Sequence, residues 1–211
     1  MPISWTNLGV SLILVIVIPE IVLYYRNRFK KRSETSSDHM NEVMFFTDKG
    51  LDCKEHVYSR LTCLKESCAY RNLRRLIQLV EEATSSLDIC MFFFTCQDLS
   101  EAIISVHRKG VRVRVITDAE MADGRGTQIP ELRKYGVPVR MKKSVSLMHH
   151  KFIIINNHML VSGSCNWTMK AFTENWENIL VTSVPNLVMP FSHHFSQLWK
   201  EFSELDYKFQ V

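Results

Sequence analysis

The sequence predicts an α/β sandwich in which helices flank a mixed β-sheet. From Val43 onward, short apolar runs alternate with segments whose apolar residues recur at helical spacing, and this alternation is typical of α/β domains. The chain has 211 residues, of which 46% are hydrophobic and 23% are charged. This length and composition suit one folded domain with a short appendage, and they exclude two large domains or a largely disordered chain.

Two kinds of pattern predict the strands. Leu87–Phe94 is a nearly continuous apolar run, as expected of a buried strand, whereas Val111–Thr117 alternates strictly between apolar and polar residues. Shorter apolar runs predict the remaining strands at Val43–Phe46, Val137–Met141, Phe152–Ile155, Met159–Ser162 and Glu177–Thr182. The strands at 152–155 and 159–162 flank an Asn-Asn pair and predict a hairpin.

Helical spacing predicts the layers that cover the sheet. An apolar stripe from Leu73 to Ala83 predicts the first helix, and Asn186 to Glu204 predicts a closing helix. Two further helices are predicted between them, each ended by a glycine, at Asp98–Lys109 and Gln128–Tyr135.

The segment Leu8–Tyr25 predicts a single transmembrane helix. It is apolar except for Ser11 and Glu20, and its 18 residues would rise about 27 Å as a helix, close to the roughly 30 Å core of a bilayer. A cleaved signal peptide is the alternative. Against it, residues 1–7 contain no Lys or Arg, and no small-x-small cleavage site follows the apolar run.

The charges after this segment predict its orientation. Five cations lie between Arg26 and Arg32, so the C-terminal part is expected on the cytosolic side of the membrane. A short, moderately hydrophobic anchor with a basic flank suits the mitochondrial outer membrane, with the endoplasmic reticulum as the alternative. Residues 26–42 are charged and Ser-rich and predict a flexible tether, so the folded domain is expected at 43–211.

Four polar side chains around the predicted hairpin indicate a phosphate-binding pocket. His149 and Lys151 are two residues apart at the start of a strand and therefore face the same side, as do Ser164 and Asn166 after the next strand. The hairpin brings the two pairs together. An ammonium, a hydroxyl and an amide would bind phosphate oxygens, and the imidazole would be free to attack.

The segment from His149 to Asn166 resembles the HKD motif of the phospholipase D superfamily, which reads H-x-K-x4-D-x6-G-S-x-N. The one departure is Asn156, where the motif has Asp. The resemblance extends over nearly the whole chain from residue 8, and within that superfamily it is most specific to the Zucchini group. The segments that carry this closer similarity are Ile116–Ile129, Met148–Phe152 and Gly163–Thr168.

The resemblance implies a phospholipase D-like fold and a reaction without a catalytic metal. His149 would attack phosphorus to form a phosphohistidine, and Glu177 would hydrogen-bond its other ring nitrogen. The residues that would bind the phosphoryl oxygens are Lys151, Ser164 and Asn166. Asn156 is counted with the catalytic residues of the motif, where the usual Asp is thought to support the fold around the site rather than to attack phosphorus. Its missing charge leaves a catalytically inactive membrane scaffold as one alternative.

A phosphohistidine mechanism needs a second histidine, which protonates the leaving oxygen and then activates water. The sequence holds one complete motif, because the H-x-K of His107 lacks the acidic position and the Gly-Ser pair, and His150 faces the other side of its strand. Two chains are therefore expected to share one active site as a homodimer. The resemblance implies single-stranded RNA as the substrate, in the production of piRNA precursors, with cardiolipin hydrolysis to phosphatidic acid as the alternative.

Four metal-binding side chains fall within 16 residues, namely Cys53, His56, Cys63 and Cys68. Such a set can complete a tetrahedral structural zinc site, although the irregular spacing leaves reduced surface thiols as an alternative. The Zucchini group carries a zinc finger here, so the resemblance implies structural zinc in an insertion at 50–70. The remaining cysteines are expected to be buried thiols: Cys90, Cys96 and Cys165.

A basic run precedes His149 and consists of Arg133, Lys134, Arg140, Lys142 and Lys143. The formal net charge of +4 is mild and does not by itself indicate nucleic-acid binding. Because the run leads into the phosphodiester site, a groove for a polyanion and a solvated surface are both open interpretations. His193 and His194 have no Cys or Asp at ligand spacing and are expected to be structural.

Overall fold

The computed structural model describes residues 19–24, 26, 39–53, 56, 63, 65, 68–142 and 144–202. The chain divides into two compact units, residues 1–39 and residues 40–211. In the first unit, residues 19–24 are helical. No helix within the described residues is long and apolar enough to cross a bilayer. The predicted anchor at 8–25 and the predicted tether at 26–42 lie largely outside the described residues.

The second unit contains a mixed β-sheet, in agreement with the predicted fold class. In the described part of the chain its seven strands are β1 (Asn41–Phe46), β2 (Ser86–Met91), β3 (Arg112–Asp118), β4 (Val139–Lys142), β5 (Lys151–Ile155), β6 (Met159–Gly163) and β7 (Glu177–Thr182). Their spatial order is β1-β7-β6-β5-β2-β3-β4. The β2–β3 and β3–β4 pairs are parallel, and the other neighbouring pairs are antiparallel.

Helices cover both faces of this sheet. They are α1 (Ala69–Glu81), α2 (Gln97–Arg108), α3 (Ala119–Ala122), α4 (Ile129–Lys134), α5 (Met169–Thr173) and α6 (Pro185–Glu201), and a 3₁₀ helix spans Asp48–Cys53. Ile153 and Ile155 of β5 belong to the core that contains α1, α2 and α5, whereas Phe152 and Ile154 belong to the core beneath α6. Because both faces of β5 are buried, the strand is apolar almost throughout.

Three local features differ from the predicted elements. The sequence did not predict α3 and α5, which are too short to show a repeating apolar stripe. A side chain caps each of them: Asp118 accepts from Glu120 N, and Thr168 accepts from Ala171 N. The strand predicted at 87–94 ends at Met91, because the chain bends there and Phe94 pairs with Trp167 instead.

Strand directions collect the motif residues at one end of the sheet. Since β6 runs antiparallel to both β5 and β7, and β5 runs antiparallel to β2, the starts of β5 and β7 lie beside the ends of β2, β3 and β6. We define this as the motif end of the sheet. The starts of β5 and β7 are two strands apart there, which corresponds to about 10 Å.

Candidate active site

His149 and Lys151 lie together at the start of β5, the arrangement that strand spacing predicts. Lys151 Nζ is 3.2 Å from His149 Nδ1 and 3.3 Å from His149 Nε2, and it donates a 2.8 Å hydrogen bond to the His149 carbonyl oxygen. The His149 ring packs on Phe92, with ring centroids 4.5 Å apart. His149 is exposed, so one phosphate can reach the imidazole and the ammonium together.

Lys151 is partly buried beside the same aromatic ring, with Nζ 5.2 Å from the Phe92 centroid. This burial lowers the pKa of Lys151 below its ordinary value, and the nearby Glu177 carboxylate opposes the shift by raising it. A partly desolvated ammonium interacts more strongly with a phosphate oxygen than an ammonium in bulk water does. Lys151 is therefore well placed to bind a phosphoryl group.

Ser164 and Glu177 are joined by a direct hydrogen bond at the motif end. The Ser164 hydroxyl donates to Glu177 Oε2 and accepts from the Asn178 backbone N–H at 3.1 Å, while Asn175 Nδ2 donates to Glu177 Oε1 at 3.1 Å. The resemblance implied a hydrogen bond between His149 and Glu177. The described residues contain no such bond, and Glu177 instead positions Ser164. Asn175 was not identified from the sequence.

Gly163 allows β7 to approach the Ser164 hydroxyl. A Cβ atom at position 163 would lie 2.0 Å from the carbonyl oxygen of Asn178, so no other residue fits without moving the backbone. The same close approach lets the Asn178 N–H reach Ser164. The glycine of the motif is therefore explained by packing between β6 and β7.

Asn166 opens onto a cleft beside the motif. Its Oδ1 atom is buried and has no hydrogen-bond partner among the described residues. The cleft is also lined by Phe93, Arg125 and Lys170. Two cations and an aromatic ring form a second place where part of a phosphorylated substrate can be held, and the amide oxygen can accept a hydrogen bond from a substrate hydroxyl there. The sequence analysis missed these cations because they lie in separate segments, Arg125 in a loop and Lys170 in α5, that only the fold brings together.

The structure separates Asn156 from the catalytic group in which the resemblance placed it. Asn156 follows the last residue of β5, about 16 Å along an extended strand from Lys151. Its Oδ1 atom accepts hydrogen bonds from the backbone N–H groups of Thr84 at 2.8 Å, Ser85 at 2.9 Å and Ser86 at 3.4 Å. Asn156 therefore fastens the hairpin to the segment before β2, and a neutral amide oxygen is sufficient for that task.

Asp118 holds the segment that leads into His149. Its buried carboxylate lies at the end of β3, and Oδ2 accepts a 3.0 Å hydrogen bond from the Met148 backbone N–H. The Met148 side chain is also buried, with its sulfur 3.3 Å from Cys90 Sγ. Asp118 was not identified from the sequence because it lies on another strand, 30 positions away from its partner.

His150 faces away from His149, as predicted, but it has a partner that the sequence analysis missed. Its Nε2 atom lies 3.1 Å from His194 Nε2 on α6. Partial burial lowers the pKa of His150, and positive charge on His194, Lys151 and His149 lowers it further. His150 is therefore neutral at neutral pH and links β5 to α6.

Part of the basic run ahead of His149 is engaged by α6. Arg140 donates to the carbonyl oxygen of Trp199, and its guanidinium carbon lies 4.1 Å from the centroid of the Trp199 rings. Lys142 forms a 2.6 Å ion pair with Glu201. Lys143 lies outside the described residues. For Arg140 and Lys142 the structure supports a packed and paired surface rather than an open polyanion groove.

The predicted zinc ligands converge, and the ligand atoms of Cys53, His56, Cys63 and Cys68 all lie within 4.8 Å of one another. Cys53 Sγ and Cys63 Sγ are 3.9 Å apart, and Cys68 Sγ and His56 Nδ1 are also 3.9 Å apart. Tetrahedral zinc with Zn–S bonds of about 2.3 Å requires sulfur atoms about 3.8 Å apart. The backbone N–H of Lys65 lowers the pKa of Cys63, which favours the thiolate that a metal needs. This donor set fits a zinc ion.

A protein-family model and several named proteins are similar to most of this chain. The family model described as "Cardiolipin synthase, PLD-like domain" matches residues 76–199. A protein named mitochondrial cardiolipin hydrolase from Danio rerio is 35% identical over 190 residues, covering 87% of this chain and 83% of that protein. Its namesake from Chlamydomonas reinhardtii is 39% identical over 165 residues, covering 76% of this chain and 74% of that protein.

Two solved structures confirm the fold. NucT from Helicobacter pylori has a TM-score of 0.63 and 23% identity, and the match covers 77% of this chain and 97% of that chain. Nuc from Salmonella typhimurium, a phospholipase D family member, has a TM-score of 0.61 and 24% identity, covering 77% of this chain and 95% of that chain. By sequence and by fold, this chain belongs to the phospholipase D superfamily of phosphodiesterases, in the group of the mitochondrial cardiolipin hydrolases.

Proposed function

We propose that the chain hydrolyses a membrane phosphodiester of the cardiolipin type, with His149 as the nucleophile. The observation that carries this proposal is the convergence of His149, Lys151 and Ser164 at the motif end. The names of the relatives favour the lipid, which was the alternative to RNA in the sequence analysis.

The proposed reaction has two balanced steps. A ring nitrogen of His149 attacks phosphorus, and the P–O bond to the leaving glycerol breaks while a second imidazole gives that oxygen a proton. The second imidazole then takes a proton from water, whose oxygen attacks phosphorus and releases His149. Cardiolipin and one water yield phosphatidic acid and phosphatidylglycerol.

The other motif residues stabilise the phosphoryl group in this scheme. Lys151 offsets its negative charge, the Asn166 side-chain N–H group donates a hydrogen bond to its oxygens, and the Ser164 hydroxyl donates to them once it turns from Glu177. Glu177 orients Ser164 and favours the charged form of Lys151. These groups supply the attack, the charge and the positioning without a catalytic metal.

We propose that the second imidazole comes from a second copy of the chain. Among the described residues, His150 is the neighbour of His149 in sequence, and it is turned to the other face and paired with His194. Two copies related by a two-fold axis would place both His149 side chains on one phosphate. This homodimer would supply the proton donor and acceptor that the mechanism needs besides the attacking His149.

An exposed apolar patch beside the site supports the homodimer. Val43, Phe45 and Leu180 are exposed on neighbouring positions of β1 and β7. Phe45 pairs with Asn178, whose N–H donates to Ser164. An apolar patch of this kind is typical of a protein interface, and here it would place the interface next to the phosphate-binding hydroxyl.

A single-strand-specific endoribonuclease that acts on piRNA precursors is the second candidate function. The cleft lined by Phe93, Arg125, Asn166 and Lys170 favours it, because aromatic rings and cations along a groove suit single-stranded nucleic acid. Arg140 and Lys142 contact Trp199 and Glu201 of α6, and these contacts count against an extended basic groove formed by the run ahead of His149.

We propose a single-pass anchor in the mitochondrial outer membrane, with the catalytic domain in the cytosol. The apolar run at 8–25 and the basic flank from Arg26 to Arg32 support the anchor and its orientation. The word mitochondrial in the names of the relatives supports the organelle. This placement would keep the active site close to a lipid substrate.

We also propose that the four-ligand cluster holds a structural zinc ion. Cys53 ends the 3₁₀ helix and Cys68 precedes α1, so the ion would tie two elements of the domain together. Metal analysis of the purified chain should find about one zinc per chain. Cys63→Ser should lower the melting temperature more than the specific activity of the folded fraction, and a metal-free protein of unchanged stability would contradict the proposal.

A side-by-side assay of the full chain tests the proposed function. The substrates are cardiolipin in phosphatidylcholine vesicles and single-stranded RNA, in buffer without magnesium. We expect phosphatidic acid from the vesicles, at a rate that added magnesium does not change. Cleavage of RNA alone would establish the second candidate, and turnover of neither substrate would identify an inactive scaffold.

A further inference from the structure

Three exposed apolar side chains surround the active site at the motif end. Val145 is fully exposed and Leu147 is 57% exposed, both in the segment between β4 and His149. Trp176, which is 73% exposed, precedes Glu177 at the start of β7. We define these three side chains as the apolar rim. Large apolar side chains left in water beside a functional site indicate a surface that another molecule covers.

The segment that carries the two aliphatic side chains of the rim is held in a fixed position. The Ser146 backbone N–H donates to Ser144 Oγ at 3.1 Å, which closes a tight local turn. The Met148 backbone N–H donates to buried Asp118 at 3.0 Å, and the Met148 side chain is itself buried. The segment is thus attached at the His149 side, and the two aliphatic side chains point outward from it.

We infer that the apolar rim inserts into a lipid bilayer and holds His149 at the depth of the headgroup phosphates. This inference rests on the proposed lipid substrate. Tryptophan and aliphatic side chains favour the membrane interface, where apolar groups reach about 5–10 Å below the headgroups. His149 is two residues from Leu147, a separation of at most about 7 Å along the chain. The depth of the rim and the position of the nucleophile are therefore compatible.

A second copy of the chain fits the rim less well than a bilayer does. The rim consists of separate projections from two segments, one before β5 and one before β7, whereas a protein interface needs a continuous complementary surface. The apolar patch of Val43, Phe45 and Leu180 offers such a surface. In a homodimer whose two-fold axis is perpendicular to the membrane, both rims would insert on the same side.

Apolar burial rather than charge is expected to drive this contact. The segments at the motif end carry the cations Arg125, Lys143 and Lys170, and they also carry the carboxylates Glu120, Asp123 and Glu174. Because the two signs nearly balance, attraction to anionic lipids is weak, and added salt should change membrane contact little.

The first test compares vesicle substrate with a soluble substrate for the full chain. The substrates are cardiolipin in phosphatidylcholine vesicles and bis(p-nitrophenyl) phosphate in water. Each rim side chain that moves from water into the bilayer should raise the affinity for the membrane about tenfold. The double variant V145S/L147S should therefore lose on the order of 100-fold in kcat/KM on vesicles. Its kcat/KM on the soluble diester should be unchanged.

Leu187→Ser is the matched control. Leu187 is 46% exposed at the start of α6, at the end of the sheet opposite the motif end, so this variant should change neither activity. Equal activity of V145S/L147S and wild type on vesicles would overturn the inference. An equal loss on both substrates with a fall in molecular mass would also overturn it, because the rim would then be an interface between copies.

The second test does not need turnover. Full-length wild type and Trp176→Phe are placed in vesicles that contain lipids brominated near the headgroup end of the acyl chains. The difference between their emission spectra isolates Trp176, and we expect that difference signal to be quenched. An unquenched signal would contradict insertion. If the wild-type protein does not hydrolyse cardiolipin in vesicles, the proposed function is contradicted. The quenching result then decides the membrane insertion of the rim by itself.

Discussion

The two ends of strand β5 carry polar residues of one sequence motif, but their surroundings differ. At the motif end, His149 and Lys151 contact each other and are open to an incoming ligand. At the other end, three backbone N–H groups already bond to Asn156 Oδ1. A polar group whose bonds are satisfied within the fold supports that fold, whereas a group with unused capacity can bind a substrate. Hydrogen-bond partners therefore separate the structural residues of a motif from the reactive ones.

The largest expected effect is at the reactive end. His149→Ala should lower activity by more than about 10³-fold, because it removes the proposed nucleophile, and the melting temperature should be unchanged since the side chain is exposed. His158→Ala, at the exposed hairpin tip, is the matched control and should retain activity. Activity that survives in His149→Ala would end the nucleophile assignment.

Mixing wild-type and His149→Ala chains tests whether two copies share the site. If both histidines of a dimer are required, activity should fall with the square of the wild-type fraction, to about one quarter at equal amounts. The chains must be mixed before assembly, and the proportion of mixed dimers measured by mass. A linear decline would show that each chain acts alone.

Glu177→Gln should have the next largest effect on activity. The variant keeps the shape of the side chain but removes the charge that raises the pKa of Lys151, so that pKa should fall further below its ordinary value. Lys151 then loses its proton at a lower pH, and the alkaline limb of the pH–rate profile should move to lower pH. We expect a loss of about 10-fold to 100-fold near neutral pH. An unmoved alkaline limb would contradict the coupling of Glu177 to Lys151.

Asn156→Ala should lower stability and leave the chemistry nearly intact. It removes the acceptor of three backbone N–H groups and should cost about 1–3 kcal/mol in the free energy of unfolding. Asn157→Ala is the comparison for backbone strain, because Asn156 and Asn157 have similar positive φ angles of 55° and 53°, and it also removes the one hydrogen bond that Asn157 Oδ1 accepts from Ser192 Oγ. Denaturant unfolding measures both variants. A loss of activity in folded Asn156→Ala that exceeds the loss of stability would contradict the structural assignment.

Asn156→Asp restores the residue of the family motif and sharpens the same comparison. A carboxylate accepts the same three N–H groups, so stability should be equal or higher and activity should stay within about threefold of wild type. A large gain in activity would mean that the charge acts on the distant reactive end.

The smallest expected effect concerns the pH dependence of stability. The pKa of His150 is lowered by burial and by the positive charges of His194, Lys151 and His149, so the unfolded chain binds more protons than the folded chain below about pH 6.5. Stability should therefore decline as pH falls through that value. His194→Gln removes one of the repelling charges and should reduce the decline, by a few degrees or less in melting temperature between about pH 7 and pH 5.5. An identical decline in both proteins would contradict the coupling.

The sequence predicted the features that depend on neighbours along the chain. Alternation along β5 placed His149 and Lys151 on one side, and the hairpin placed Ser164 beside them. The α/β fold with a mixed sheet followed from the alternation of strand-like and helical segments along the chain. Motif spacing identified the four side chains that could hold a metal ion, because all four fall within one short segment. These predictions needed local periodicity and spacing and nothing from distant parts of the chain.

The features that the sequence did not predict depend on packing between distant segments. Asp118 reaches Met148 from another strand, and His194 reaches His150 from another helix. The contact of Arg140 with Trp199 of α6 was not predicted for the same reason, because nothing near Arg140 in the sequence indicates it. The sequence analysis therefore left the basic run as a possible groove for a polyanion. Propensity and periodicity contain no information on such pairings, which tertiary packing decides.

The pairing of β1 with β7 has a consequence for how the protein is made. These are the first and last strands of the described sheet, and Asn41 lies opposite Thr182. Contacts between such distant positions form slowly, because a long loop must close before they are gained. A growing chain that ends before Thr182 leaves β1 without its partner, and Glu177 without the strand that fixes it. The active site is therefore completed late, once ribosomal synthesis has passed β7.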